Sequence, residues 1–267
     1  MSALTLPITD GLTIAKRNAL KIKRSPDLLG AAIMFPIVFV LLFAYVFGSV
    51  IEIPGMSYKE FLLPGIFVQA VIIGAQTTGY TLTLDLQKGI YDRFRSLPMA
   101  RSAVLIGQTV SDLLMNVSSL VVMALMGLVV GWRVHSSPLE VVLGFGLLLL
   151  FAYAFSWVTA AVALALRTPE NFNNVATMVS FPLMFISNAY LDSAKLPTPL
   201  RVIAEWNPVS TFTQAARELF GNTSTAMKTS DAWPIQHAIP VSLLWIAIIL
   251  IVFIPLATRL YKKTVSN

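Results

Sequence analysis

One short segment between two apolar runs is rich in charge. It reads Asp85-Leu86-Gln87-Lys88-Gly89-Ile90-Tyr91-Asp92-Arg93-Phe94-Arg95-Ser96-Leu97-Pro98-Met99-Ala100-Arg101. Ile90, Phe94 and Leu97 recur at i, i+4 and i+7, so a short helix here has one apolar edge between charged flanks. Pro98 ends it, because proline cannot continue the backbone hydrogen-bond ladder. The pattern suits docking rather than bond-making. An aromatic and two aliphatic side chains fill a groove, while Arg93 and Arg95 meet its polar rim. A plainer reading is a basic loop that obeys charge asymmetry across a membrane.

A second set of polar residues sits inside apolar runs. Gln69, Gln76, Gln108 and Asn116 either line a path for a cargo or bridge neighbouring helices. Asp112 is an acid in the same setting, where a carboxylate at the centre of a span costs about 2.5–3.5 kcal/mol. Its place near the start of its run leaves two roles open: a path residue, or an interfacial acid paired with Arg101. Gly127 and Gly131 form a G-x-x-x-G spacing, a common close-packing signature between membrane helices.

Most catalytic chemistry is missing. The chain has no cysteine, which excludes disulfides, thiolate nucleophiles and cysteine-ligated metals. There is no G-x-x-x-x-G-K-[ST] phosphate loop, no G-x-S-x-G elbow and no H-E-x-x-H pair. The two histidines, His135 and His237, are far apart in the sequence. No catalytic residue, metal ligand or resident cofactor is expected.

The elements that carry these residues belong to a membrane protein. Of 267 residues, 56% are hydrophobic and 12% charged, and the mean hydropathy is +0.75. A soluble domain carries about 25% charged residues, so here lipid must cover the surface. A span needs about 20 apolar residues. Six stretches qualify: roughly 29–51, 62–84, 103–130, 141–166, 175–191 and 239–258, the fifth short and interrupted by Pro182. With an even number of spans, both termini share a side. That side holds thirteen of the nineteen Lys and Arg residues, which makes it cytoplasmic. The net charge of +6 then reads as attraction to an anionic membrane surface rather than to nucleic acid.

Two non-spanning regions also have pattern. Within 8–25, Ile8, Leu12, Ala15, Ala19 and Ile22 share one helical stripe, as in an amphipathic helix lying on the cytoplasmic leaflet. The outer segment 192–238 is broken by Pro197, Pro199 and Pro208. Thr211 and Gln214 read as a capping pair for a short helix that Gly221 stops. Such short helices fit a dip into the membrane from outside, where protein must satisfy the broken backbone. With no internal repeat, residues 1–267 form a single domain.

The segment 85–101 resembles that of the membrane subunits of type-2 ABC exporters, and is most similar to the daunorubicin-resistance permease group of bacterial drug and lipid exporters. The resemblance rests on its acid, Lys88-Gly89, Arg93-Phe94-Arg95, Ser96-Leu97-Pro98 and closing Arg101. A second match is Asn207-Pro208-Val209 followed by Arg217. Asp85 stands where many members of the wider class carry Glu, which keeps the charge and loses a methylene. The resemblance implies an all-α permease that pairs with a second copy of itself in the bacterial plasma membrane. It also implies two copies of a separate ATP-binding subunit, which would hold the ATP and Mg. Residues 86–97 would be the coupling helix, with Asp85, Lys88, Gly89, Ile90, Arg93, Phe94, Arg95, Leu97 and Pro98 at the ATPase contact. The region 197–220 would be an extracellular re-entrant pair of helices. The cargo would be a drug, lipid or polyketide-like molecule exported by alternating access. A polysaccharide exporter has the same architecture, and a membrane-embedded enzyme or assembly factor without an ATPase is the reading from another class. The orientation is checked by cysteine labelling: Ser224→Cys should react with an impermeant thiol reagent in intact cells and Ser266→Cys should not. The reverse pattern would invert the topology.

Overall fold

The computed structural model describes residues 34, 37–48, 50–89, 103–224, 226 and 230–266. The amphipathic stripe at 8–25 and the whole of 90–102 lie outside them, as does the start of the first expected span. Every regular element among the described residues is helical, apart from an isolated bridge between Ile53 and Met56. The helices are α1 (Ile37–Phe47, with a π-helical end at Phe43–Phe47), α2 (Tyr58–Gln87), α3 (Ala103–Val130), α4 (Pro138–Leu166), α5 (Pro169–Phe185), α6 (Thr198–Trp206), α7 (Pro208–Phe220) and α8 (Ala238–Ser266). Four of them, α2, α3, α4 and α8, are long and apolar enough to cross a membrane.

The packing is centred on α2. It contacts α3, α4, α5 and α7, and its contact with α4 is the most extensive in the chain. Of its most apolar stretch 72% is buried, against 28% for α3 and 17% for α8. Small residues let its neighbours approach. The Gly74 backbone faces Asn116 of α3, and the Gly79 backbone receives the Phe172 ring of α5. Thr159 of α4 donates a hydrogen bond to the Ala75 carbonyl at 2.8 Å. One core joins Phe61, Phe67, Trp132, Phe151, Phe212 and Phe220. A second joins Leu82, Trp157, Phe172 and Tyr261.

The helix ends obey local chemistry. Ser137 and Glu140 make a capping box before α4. Gly221 takes φ +69° and stops α7, as its type and place suggest. Lys59 donates to the Val130 carbonyl at 3.0 Å, which places a cation on the negative end of α3.

Three expectations need correction. The fifth helix runs over 169–185 rather than 175–191. Glu170, Asn171, Asn173 and Asn174 look like loop in composition, yet they form its exposed first turns. Pro182 lies near its end rather than mid-helix, and 186–191 form a turn. Thr211 and Gln214 do not cap a helix; they lie inside α7, whose N-cap is Asn207. Gly127 and Gly131 are not a packing pair. Gly127 abuts Leu63 and Trp132, whereas Gly131 ends α3 at φ +107° with nothing within 4 Å of an added Cβ.

Filling the α2–α5 contact tests this packing. Gly79→Val should cost about 1–3 kcal/mol by overpacking, seen as a lower melting temperature in detergent. Gly146→Val, at a site with nothing within 4 Å of an added Cβ, should melt near the wild type. Equal melting of the two variants would contradict the Gly79–Phe172 approach.

Candidate functional site: a charged segment and a clamp at opposite ends of α2

The C-terminal end of α2 leads into the charged segment. Leu86 and Gln87 are its last residues, and Asp85 is buried on it. The Lys88 and Gly89 amides close the helix on the Leu84 and Leu86 carbonyls, at 3.0 and 3.1 Å. Gly89 has φ +61°, a conformation that stops an α-helix. Residues 86 and 87 therefore belong to α2 itself, which ends before Gly89. Ile90, Arg93, Phe94, Arg95, Leu97 and Pro98 lie outside the described residues.

Two of the polar residues in the apolar runs, Gln69 and Gln76, bond from α2 to other elements. Gln76 donates to the Ser180 hydroxyl of α5 at 2.6 Å. The Gln69 side-chain oxygen accepts from the Tyr190 hydroxyl. Asn116 donates to the Asp112 carbonyl one turn earlier, at 3.0 Å. Asp112 is itself buried, and the Gln108 side chain lies outside the described set. Gln69 Nε2 and Asn116 Oδ1 are buried without a hydrogen-bond partner. Gln69 and Gln76 are thus placed as bridges from α2 to its neighbours.

At the other end of α2 the second sequence match becomes a clamp around the turn 186–190. Asn207 caps α7 by accepting from the Val209 amide at 2.9 Å. Pro208 follows at the first helical position, where no amide donor is needed. The Asn207 amide nitrogen donates to the Leu183 and Ile186 carbonyls, at 2.7 and 2.6 Å. One turn on, the Ser210 hydroxyl accepts from the Asn188 amide at 2.9 Å. Arg217 completes the clamp. Its Nε donates to the Phe61 carbonyl at 2.9 Å, and one Nη donates to the Asn188 and Ala189 carbonyls at 2.7 and 3.3 Å. The guanidinium also lies 3.6 Å from the centre of the Phe61 ring.

Arg217 is 3% exposed. A guanidinium stays charged at neutral pH, and here carbonyl dipoles and a ring face hold the charge. A small cleft opens beside it, lined among others by Asn188, Asp192 and Gln214. Gly65 makes the turn's position possible, because an added Cβ would lie 2.6 Å from the Ala189 oxygen. Tyr58 and Gln69, both on α2, bond the carbonyl and hydroxyl of Tyr190.

Residues 10–220 match the family described as ABC-2 type transporter. The chain belongs to the ABC-2 type transporter family. Together with its four apolar helices, this makes it a multi-pass membrane protein. It is 33% identical over 252 residues, 94% of this chain and 86% of the relative, to the daunorubicin resistance ABC transporter permease protein DrrB1 of Streptomyces coeruleorubidus. It is 27% identical over 212 residues, 78% of this chain and 73% of the relative, to the doxorubicin resistance ABC transporter permease protein DrrB of Mycobacterium tuberculosis. The ABC-2 match ends at the last residue of α7. The clamp thus lies inside the family's domain.

Sequence reasoning singled out Asn207 and Arg217 by resemblance and missed Ser210, Gly65 and Tyr190. The Asn-Pro pair was the available signal, since Asn at an N-cap before Pro at the first helical position is a helix start. Two substitutions test the double role of Asn207. Asn207→Ala should lose about 1–3 kcal/mol from the cap and the two carbonyl bonds. Asn207→Asp keeps a cap acceptor but sets a carboxylate against two carbonyls, so it should be no more stable than the alanine variant. Melting in detergent decides; wild-type stability of Asn207→Asp would reduce the residue to a simple cap.

Proposed function

We propose that this chain is the permease subunit of an ATP-driven exporter for an amphipathic cargo, a drug, lipid or polyketide-like molecule. The observation that carries this reading is the 33% identity over 94% of the chain to a daunorubicin resistance permease. In this reading two copies of the chain form the membrane unit of a bacterial plasma-membrane exporter. Each copy docks a separate ATP-binding subunit, which holds the ATP and Mg and does the hydrolysis.

Six spans with both termini cytoplasmic complete the proposed topology. The four apolar helices supply four of them. The segment 29–51 and α5 supply the others, α5 being short at 17 residues. Exposed Val175, Met178, Val179, Phe181 and Phe185 on and at the end of α5 suit a lipid-facing surface. For α7 a re-entrant position is supported by its burial against α2, α4 and α8, since protein must satisfy irregular backbone at membrane depth.

The mechanism follows from the position of α2. ATP binding draws the ATPase pair together and displaces the segment 85–101 at the inner end of α2. A helix of 30 residues is about 45 Å long, enough to carry that displacement from one face to the other. The central path between the two copies then changes access from inside to outside. Gln69, Gln76, Gln108, Asp112 and Asn116 are the polar residues on α2 and α3 from which such a path would draw.

Docking tests this reading. Phe94→Ala removes the aromatic anchor of the segment, and such hot spots contribute about 2 kcal/mol or more. Retention of the ATP-binding subunit in copurification should fall roughly thirtyfold, with expression and orientation of the permease unchanged. Normal retention and normal export would remove this segment from the coupling role.

A further inference from the structure

The clamp joins α7 to the outer end of α2 by hydrogen bonds and close backbone contact. Arg217 bonds one carbonyl of α2 and two of the turn with a single guanidinium. Gly65 lets that turn lie in backbone contact with α2. Tyr58 and Gln69 tie the turn's last residue to α2. The far end of α7 is held as well. The Ser136 hydroxyl donates to the Leu219 carbonyl at 2.6 Å and the His135 amide to the Phe220 carbonyl at 3.0 Å. The less enclosed helices are elsewhere, since the apolar stretches of α3 and α8 are 28% and 17% buried.

We propose that α7 and the turn 186–190 form one rigid body with the outer half of α2, and that Arg217 is the positioning residue that makes them one. Displacing the inner end of α2 then moves α7 with it. The outer side opens by motion of this whole body against its neighbours, not by α7 lifting off α2. This inference rests on the exporter reading above.

The cysteine-free sequence gives a direct test. An ideal Cβ at Gly55, just ahead of α2, lies 3.6 Å from the Ser224 Cβ, just after α7, within the usual range for a disulfide. Gly55 has φ +77°, so the Gly55→Cys single variant carries the backbone strain and sets its baseline. The double variant Gly55→Cys/Ser224→Cys is purified with its ATP-binding subunit, with each single variant as baseline. ATP hydrolysis and efflux of daunorubicin, used as the probe cargo, are measured oxidised and reduced. The oxidised and reduced forms should agree within about twofold, because the bond locks parts that already move together. A tenfold loss on oxidation that dithiothreitol reverses would overturn the proposal.

Arg217→Gln supplies the second arm. Hydrolysis should stay within about threefold of wild type while efflux drops tenfold or more, and Arg217→Lys should recover part of the efflux. Wild-type efflux by Arg217→Gln would remove Arg217 from the role. If that variant does not accumulate, the cross-link arm decides alone. A wild-type complex that hydrolyses ATP but moves no daunorubicin corrects the cargo only, and hydrolysis then reads the cross-link. Failure of the wild-type chain to bind any ATP-binding subunit sinks the exporter reading instead.

Discussion

A guanidinium shut away from water must be solvated by the protein itself. Arg217 meets this constraint without a carboxylate in hydrogen-bond contact: three backbone carbonyls and the Phe61 ring surround it. Carbonyls can serve only if they are free of helical partners or can accept a second bond. The turn 186–190 supplies two such groups, because it follows the end of α5, where carbonyls lack intrahelical donors. The same turn would otherwise hold buried carbonyls without donors. Each side of the contact thus removes part of the other's desolvation cost. Charged donors to such carbonyls contribute about 1.5–3 kcal/mol each, so the joint is strong for its size.

The rest of the architecture is arranged around that joint. Asn207 sets where α7 starts, and Ser210 and Arg217 follow on the side that faces the turn. Gly65 removes the one side chain that would hold the turn away from α2. Farther along α2, Gly74 and Gly79 admit Asn116 and Phe172 in the same way. A single helix therefore meets α3, α5, α7 and the turn at close range, and its high burial is a consequence. In a bilayer, where lipid is as apolar as the side chains, close packing and polar bridges such as Gln76–Ser180 do the work that water exclusion does elsewhere.

Much of this was legible in the sequence. The third span is found with the bounds read from its apolar run, 103–130, because hydropathy alone defines a helix that lipid surrounds. The proline-broken outer segment resolves into short helices as its composition indicates. The fifth span was misread because hydropathy marks apolar content, not helical limits. The Asn-rich start of α5 is helical and polar, while apolar Ile186, Ala189 and Leu191 belong to a turn fixed by tertiary bonds. The G-x-x-x-G spacing misled because its second glycine serves backbone geometry at a helix end. Gly65 and Tyr190 could not be found in the sequence, since their roles depend on partners distant along the chain. Family resemblance pointed to Arg217; only the geometry gives a reason for it.

The π-helical end of α1 has a consequence for how this chain tolerates insertions and deletions. A π turn holds roughly one residue more than an α turn. The wider turn at Phe43–Phe47 sits where Phe43 stacks on both Phe47 and Tyr190, so the aromatic contact fixes the position of the extra residue. Removing one residue there would restore α geometry and rotate everything N-terminal to it by about 100° around the helix axis. Val40 and Ala44, now buried side by side, would no longer share the inward face. The π turn at Phe43–Phe47 thus sets the angular phase of Val40 against Ala44.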